Sequence, residues 1–124
     1  MRIEDITFII TTFKSENIII DCLNSIPTEA KKIVIENSGN KELKVILESK
    51  FKNIECHIMD SNLGYGRANN YGINKTKTDY VFILNPDAKL KNESLKDIIN
   101  ILKNQDFCIA SPLDRDENYI DFNV

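Results

Sequence analysis

The sequence is poor in the side chains that bind transition metals. It contains one histidine, His57, and three cysteines, Cys22, Cys56 and Cys108, among 124 residues. A single histidine cannot build a multi-histidine metal site, and no two cysteines have the C-x-x-C spacing of a zinc or redox motif. Each cysteine lies among apolar residues, so we predict three buried free thiols in a reducing compartment.

Long apolar runs and charge of one sign are also missing. No segment approaches the roughly 20 apolar residues of a transmembrane helix, and the first residues lack a secretory signal pattern. The formal net charge is −3, from 16 basic and 19 acidic residues. We therefore expect no transmembrane segment and no nucleic-acid partner. A length of 124 residues predicts one domain, spanning 1–124.

Two kinds of apolar segment alternate along the chain. Short runs rich in β-branched residues predict strands at 6–13, 32–36, 54–59, 80–84 and 107–110, with a last edge strand at 119–122. Apolar residues three and four apart predict helices of about 10 residues between them. This alternation favours right-handed βαβ units. We predict an α/β fold, a three-layer α/β/α sandwich around a Rossmann-like, mostly parallel sheet of about five strands.

The apolar run at 80–84 stops at Asn85, Pro86 and Asp87. An uninterrupted apolar run predicts a strand that is buried on both faces, in the centre of the sheet. Pro86 has no backbone N–H for a sheet ladder, so the strand ends there. Two interpretations of the tripeptide remain open. It is either a plain turn or a site beyond the carboxyl end of a strand, where α/β sheets bind ligands.

Polar loops follow four of the predicted strands. They span 11–16, 36–39, 60–67 and 85–87. In a doubly wound sheet these loops share one edge, so we expect them to form a single cleft. Its groups fit a nucleoside diphosphate: Asp87 suits Mg²⁺ or Mn²⁺, and Arg67 suits the diphosphate charge. Glu36 suits the imide N–H of uracil or thymine, between Thr11 and Phe13.

Each of these residues also has a structural interpretation. Glu36 could cap the loop that follows it, because a buried carboxylate needs hydrogen-bond donors. Arg67 could be solvated, and Thr11 could simply end a strand. The Gly64-Tyr-Gly66 segment could be a loop that needs positive φ before a helix.

Four segments together resemble family 2 glycosyltransferases of the GT-A fold. They are Ile9-Ile-Thr-Thr-Phe13, Ile33-Val-Ile-Glu-Asn-Ser-Gly39, Asn62-Leu-Gly-Tyr-Gly-Arg-Ala-Asn-Asn-Tyr-Gly-Ile73 and Phe82-Ile-Leu-Asn-Pro-Asp-Ala88. Their order and spacing fit over nearly the whole chain. The last two are most similar to the rhamnosyltransferase-like branch, in which Asn-Pro-Asp stands where other members carry Asp-x-Asp.

The resemblance implies inverting transfer of a sugar from a UDP- or dTDP-linked donor to a hydroxyl of a saccharide or lipid-linked saccharide, in cell-surface polysaccharide synthesis. It implies Mg²⁺ or Mn²⁺ on Asp87. It also implies a cytoplasmic location, with peripheral attachment to the inner face of the membrane as a variant. The positions that it matches to the nucleotide and donor sugar are Thr11, Thr12, Phe13, Glu16, Glu36, Asn62, Gly64, Arg67, Asn70 and Asn85.

The chain departs from the family pattern in length. Family members are typically much longer, and their second half supplies the acceptor site and the catalytic base. Asp114, Asp116 and Glu117 lie too early to match that base. The chain therefore corresponds to an N-terminal, donor-binding half that is truncated at its C-terminus. It is a fragment, a shortened gene product, or a chain that needs a partner. An exposed sheet edge at the truncated end would favour pairing, as in a homodimer.

Two other functions remain as alternatives. One is a non-catalytic module that binds nucleotide sugars without the acceptor half. The other is a flavodoxin-like signalling domain, which normally has clustered acidic residues near the end of its first strand. Here that position is Thr11-Thr-Phe-Lys14, which argues against a signalling domain.

Overall fold

Strands and helices alternate in the structure, a computed structural model that describes residues 1–112. A short 3-10 turn, Ile3–Asp5, precedes the first strand. The elements that follow are β1 Ile6–Thr12, α1 Ile19–Asn24, β2 Lys31–Glu36, α2 Lys41–Lys50, β3 Ile54–Ile58, α3 Tyr65–Lys75, β4 Tyr80–Ile83 and α4 Asn92–Leu102. Across residues 1–112 no helix combines the length and apolar character needed to cross a membrane.

The strands form one parallel sheet in the order β3-β2-β1-β4. In its register Thr12 lies opposite Glu36, and Ile9 lies opposite Ile83. The chain moves outward from β1 through β2 to β3, then crosses back to place β4 on the other side of β1. This reversal makes the carboxyl ends of β1 and β4 a topological switch point, where open α/β sheets form a crevice.

Right-handed crossovers explain the layers. The connections β1–β2 and β2–β3 run in one direction, so α1 and α2 lie on one face, whereas the reversed β3–β4 connection puts α3 on the other. The core follows this division. The larger cluster joins the first face of the sheet to α1, α2 and α4 through Phe8, Ile10, Leu23, Leu47 and Leu95, among others. The smaller cluster packs α3 on the second face through Ile33, Ile35, Met59 and Ala68. The predicted three-layer α/β fold is thus confirmed.

The predicted position of β4 is wrong within the described residues. It lies at an edge of the sheet instead of its centre, and Val81 and Ile83 are 38% and 42% exposed. An apolar run favours burial of both faces of a strand, but it does not determine how many neighbouring strands pair with it. Phe82 does face the core and stacks on Phe8, with ring centroids 5.1 Å apart.

The predicted fifth strand, at 107–110, is also wrong, because residues 103–112 contain no strand. Phe107 stacks on Tyr80 with ring centroids 6.0 Å apart, but Ile109 is 91% exposed. Cys108 is exposed, so its predicted burial is wrong, whereas Cys22 and Cys56 are buried free thiols as predicted. Propensity for β structure depends on context, and a four-residue segment needs a paired neighbour to become a strand. The edge strand predicted at 119–122 lies outside the described residues.

Candidate functional site

A cleft of about 480 Å³ opens at the carboxyl edge of the sheet. It lies where the switch point predicts it, between the loop after β1 and the loop after β4. Predicted site residues that line it are Thr11, Thr12, Phe13, Asn62, Gly64, Asn85 and Asp87. Residues that line it without having been predicted are Ser15, Ile18, Asn37, Tyr65 and Pro86. All four polar loops contribute residues to this cleft, as the sequence predicted.

The end of β1 supplies a polar floor and an apolar rim. Thr11 is buried, and its Oγ1 donates to Asn69 Oδ1 at 2.8 Å, which ties β1 to α3. The ring of Phe13 is 49% exposed at the cleft. Ser15 Oγ accepts a hydrogen bond from Phe13 N at 3.2 Å and so holds this turn. An exposed aromatic ring beside buried hydroxyls suits a planar, partly polar ligand group.

Glu36 lies behind the cleft rather than in its lining. It is 0% exposed, and Oε2 accepts from Asn40 N at 2.7 Å and from Ser38 N at 3.1 Å. Ser38 Oγ also donates to Oε1. The structural alternative for Glu36, a cap for the loop after β2, is therefore confirmed. The Glu36 carboxylate could accept further hydrogen bonds. What keeps it from a ligand is its burial behind the cleft, and not a lack of free lone pairs.

Asn37 joins the loops after β2 and β3. Its side chain is buried, Oδ1 accepts from Leu63 N at 3.3 Å, and Nδ2 donates to Gly64 O at 3.4 Å. Sequence reasoning missed this residue, because a single asparagine in a loop has no distinctive pattern. What could have indicated Asn37 is its position in the sequence, directly after Glu36 at the end of a buried strand.

Gly64 starts α3 at the wall of the cleft. Its φ of +77° is a left-handed conformation that disfavours other residues, which agrees with the structural alternative given for this loop. Asn62 Oδ1 accepts from Gly64 N at 2.9 Å. Within residues 1–112 no side chain caps α3, and its first turn carries no acidic residue. The first N–H groups of α3 therefore leave a partial positive charge beside the cleft, which favours an anion.

Tyr65 and the loop after β4 form the opposite rim. The Tyr65 hydroxyl donates to Asn85 Oδ1 at 2.8 Å. Asp87 is exposed and lines the cleft next to Asn85. Below them, burial and the negative charge of Asp87 raise the pKa of the Cys22 thiol to about 11. Sequence reasoning missed Tyr65, because the Gly64-Tyr-Gly66 segment was interpreted through the conformation of its glycines alone.

Four predicted site residues do not line the cleft. They are Glu16, Glu36, Arg67 and Asn70. Arg67 and Asn70 lie on exposed positions of α3, and among the described residues Arg67 forms no ion pair, which matches its solvated alternative. On the same helix Asn69 faces inward and is 4% exposed.

The donor set tests whether a divalent cation fits. Over residues 1–112 there is no group of three or more His, Cys, Asp or Glu side chains that could hold one. Asp87 is the single carboxylate in the lining of the cleft. Mg²⁺ sites commonly use one or two carboxylates together with substrate phosphates. The residues therefore fit a cation that binds with a diphosphate, and not one held by protein ligands alone.

Comparison with known proteins gives consistent matches. The sequence model described as Glycosyl transferase family 2 matches residues 7–122. The chain is 29% identical over 116 residues to the low-salt glycan biosynthesis hexosyltransferase Agl10 of Haloferax volcanii, covering 89% of this chain and 36% of that protein. It is 26% identical over 113 residues to the teichoic acid poly(glycerol phosphate) polymerase of Staphylococcus epidermidis, covering 85% of this chain and 16% of the polymerase.

Solved structures with the same fold include TarS of S. aureus. A crystal structure of TarS 1-349 superimposes with a TM-score of 0.67 and 23% identity, over 79% of this chain and 32% of that one. A second TarS crystal structure gives a TM-score of 0.67 at 22% identity, over 79% of this chain and 19% of that one. At this identity the likeness concerns the fold. In every case the chain spans less than two thirds of the protein that it matches.

Proposed function

Because the chain belongs to glycosyl transferase family 2, we propose that its cleft binds the nucleoside diphosphate sugar of an inverting, GT-A-type glycosyl transfer. The acceptor is a hydroxyl of a saccharide or lipid-linked saccharide in polysaccharide synthesis. The proposed transfer is hexosyl or rhamnosyl, at a cytoplasmic location. The observation that carries this proposal is the single cleft at the switch point, where an aromatic ring, an uncapped helix start and a carboxylate face one volume.

The end of β1 is the proposed binding place for the base. The exposed ring of Phe13 offers a flat apolar surface for uracil or thymine, and the bond between Thr11 and Asn69 holds the floor in place. The predicted contact between Glu36 and the base requires the loop of Asn37 and Ser38 to move, because the Glu36 carboxylate is fully buried and does not line the cleft. Without that movement, Glu36 serves the base by shaping the loop of Asn37 and Ser38.

The opposite end is the proposed place for the diphosphate. The start of α3 supplies N–H groups, and Asp87 would hold Mg²⁺ or Mn²⁺ together with phosphate oxygens. The cation, when bound, would offset charge on the leaving diphosphate. Arg67 is three residues into α3 and is exposed, so it could reach the phosphates only by extending along the rim. No carboxylate in the described cleft is left over as a base for the acceptor hydroxyl.

A test of this proposal measures binding of UDP and dTDP by calorimetry and by thermal shift, with ADP as the comparison nucleotide. We expect UDP or dTDP to raise Tm, because a ligand at 100 times its Kd stabilises the folded state by about 2.7 kcal/mol. MnCl2 should tighten binding relative to EDTA. Asp87→Ala should remove that metal-dependent increment, a loss of about tenfold or more in Kd, since a cation-bridged contact is lost.

Asp60→Ala is the matched control, because Asp60 is an exposed carboxylate in the loop after β3 that does not line the cleft. It should keep the metal-dependent increment. Absence of binding by both UDP and dTDP, with or without MnCl2, would contradict the proposal. Loss of the increment in both variants would show a general charge effect instead of a ligand at Asp87.

A second candidate is a module that binds nucleotide sugars without transferring them. It is favoured by the lining of the cleft, which has one carboxylate among the described residues and so no second one for the acceptor. Turnover separates the two functions. Tight UDP binding without hydrolysis of UDP-glucose or transfer to an added saccharide would favour the module.

A further inference from the structure

One hydrogen bond joins two segments that line the cleft, and both partners are side chains of the lining. Tyr65 is the first residue of α3 and is 53% exposed. Its hydroxyl donates to Asn85 Oδ1 at 2.8 Å. The bond joins the start of α3 to the loop after β4, directly beside Asp87.

Both ends of this bond are fixed by other contacts. Gly64, with its positive φ, and the Asn62 side chain set where Tyr65 leaves the loop. The backbone carbonyl of Asn85 accepts from Ala88 N at 3.0 Å and from Cys22 Sγ at 3.5 Å. The backbone of Asn85 is thereby held by its own turn, and its side chain is oriented by Tyr65.

The bond decides which part of the carboxamide is free. An asparagine side chain has one oxygen acceptor and one NH₂ group with two donors. Divalent cations such as Mg²⁺ bind the oxygen, whereas an anion binds the donors. Tyr65 takes one lone pair of Oδ1 and fixes the direction of the carboxamide, and within residues 1–112 the Nδ2 group of Asn85 has no hydrogen-bond partner. The group left wholly free for a ligand is the donor.

We propose that Tyr65 is a positioning residue that holds the oxygen of Asn85 and presents its NH₂ group to the bound diphosphate as a hydrogen-bond donor, so that Asp87 is the carboxylate of this rim left for the cation. This inference rests on the proposed function, since it assigns roles toward the same diphosphate. It also explains why an amide is compatible with a metal-diphosphate site at this position. The amide contacts the phosphate oxygens, and the carboxylate two residues later contacts the cation.

The first experiment compares Tyr65→Phe with wild type by calorimetry, with UDP and dTDP as probes, in EDTA and in MnCl2. Loss of the hydroxyl frees Asn85 to rotate. We expect binding in EDTA to weaken by about fivefold, the size of one lost neutral hydrogen bond. The MnCl2 increment should grow, because Oδ1 loses its hydrogen bond to Tyr65 and becomes free to turn to the cation. The ratio of Kd in EDTA to Kd in MnCl2 therefore rises.

Tyr71→Phe is the matched control, because Tyr71 lies on the same helix, outside the cleft lining, and its hydroxyl has no hydrogen bond among the described residues. Both of its Kd values should equal those of wild type. A merely structural role for Tyr65 would weaken both Kd values equally and leave the ratio unchanged. A gating role would make Tyr65→Phe bind more tightly in EDTA. Either result overturns the inference.

Asn85→Asp is the second variant and keeps the test decisive if Tyr65→Phe folds poorly. A carboxylate cannot donate to phosphate and adds a negative charge, so binding in EDTA should weaken about tenfold or more. Binding of Mn²⁺ in the presence of UDP, followed by its electron paramagnetic resonance signal, should strengthen. Unchanged binding in EDTA would overturn the donor role of Asn85. If wild type binds neither UDP nor dTDP, the proposed function falls as well, whereas unchanged ratios in a chain that binds them refute this inference alone.

Discussion

The thiols of this chain lie in distinct environments at the residue scale. Cys22 is 1% exposed below the cleft, and Cys56 is 1% exposed in the core between β3 and α2. Burial raises the pKa of the Cys56 thiol to about 12, and burial together with the charge of Asp87 raises the pKa of Cys22 to about 11. Cys108 is exposed. Because the thiolate is the reactive form, burial and a raised pKa both disfavour reaction of Cys22 and Cys56, whereas Cys108 is accessible to a reagent.

We therefore expect a disulfide reagent such as DTNB to modify one thiol of the native protein at pH 8, and all 3 cysteines after unfolding. At that pH roughly one thousandth of a thiol with a pKa near 11 is ionised. Raising the pH to 9 multiplies this fraction by about ten and still leaves it near one hundredth. Cys108→Ser should abolish the fast phase. Rapid modification of Cys22 in the native protein would contradict its burial.

Glu36 illustrates what a sequence can and cannot indicate about one side chain. Its position at the end of a buried strand predicted that it needs donors, and its partners, Ser38 and Asn40, follow it within four residues. The predicted contact with a base depends on whether the carboxylate faces the cleft or the loop. That choice is made by backbone geometry after β2, which the sequence pattern does not specify. Asn37 was not predicted either, because a single asparagine in a loop has no distinctive pattern and its direction also depends on that backbone geometry.

At the scale of elements, α3 is set at an unusually close distance from the sheet. A Cβ atom at Gly72 would lie 2.8 Å from Ile9 Cγ2, which is too close for real atoms. Ile9 is fully buried in the centre of the sheet, so it has little room to move. One missing methyl group thus sets the depth of α3, which brings Tyr65 to the cleft and Asn69 to Thr11.

Gly72→Ala should therefore destabilise the fold although alanine is the better helix former. Overpacking costs about 1–3 kcal/mol, against a gain of up to about 1 kcal/mol in helix propensity. We expect a net loss of about 1–2 kcal/mol in the free energy of unfolding, measured by urea titration. The displaced α3 should also weaken UDP binding.

Gly66→Ala is the matched control on the same helix, because a Cβ atom there meets nothing within 4 Å. Its stability should stay equal to wild type or rise by up to about 1 kcal/mol, through helix propensity alone. Equal destabilisation by the two alanines would show that the close approach of Gly72 to Ile9 is not the cause.

Elements with strong local signals were predicted well, and those that depend on a neighbour were not. The β-branched runs at 6–13 and 32–36 gave β1 and β2 to within one residue at each end. The segment 107–110 has similar β propensity but forms no strand in the structure. Its prediction failed because strand formation is decided by pairing, a long-range property.

At the scale of the whole molecule, strand order is what places the cleft. The polar loops predicted a shared edge, but a sequence of alternating strands and helices is compatible with several strand orders. The order β3-β2-β1-β4 puts the switch point between β1 and β4, so Phe13 and Asp87 line one cleft. The same order makes β4 an edge in the described residues, with an apolar groove of about 670 Å³ beside it.

The edge position of β4 determines how fast its backbone amides exchange with solvent. Leu84 N donates to Ile9 O at 2.9 Å, so alternate amides along β4 point toward β1. The amide N–H of Phe82 points toward β1 like that of Leu84, whereas the amide N–H groups of Val81 and Ile83 point to the open edge of the sheet. Amides inside a ladder exchange with deuterium only when the ladder opens, but outward ones exchange freely.

We expect hydrogen exchange followed by NMR to show slow exchange at Phe82 and Leu84, and exchange at Val81 and Ile83 faster by about a hundredfold or more. Residues of β1, which has a partner on both sides, should be uniformly slow. Equal protection along β4 would mean that its outer amides are paired in solution, and would contradict its edge position. The exchange times of four neighbouring amides thus report whether any further strand completes this sheet.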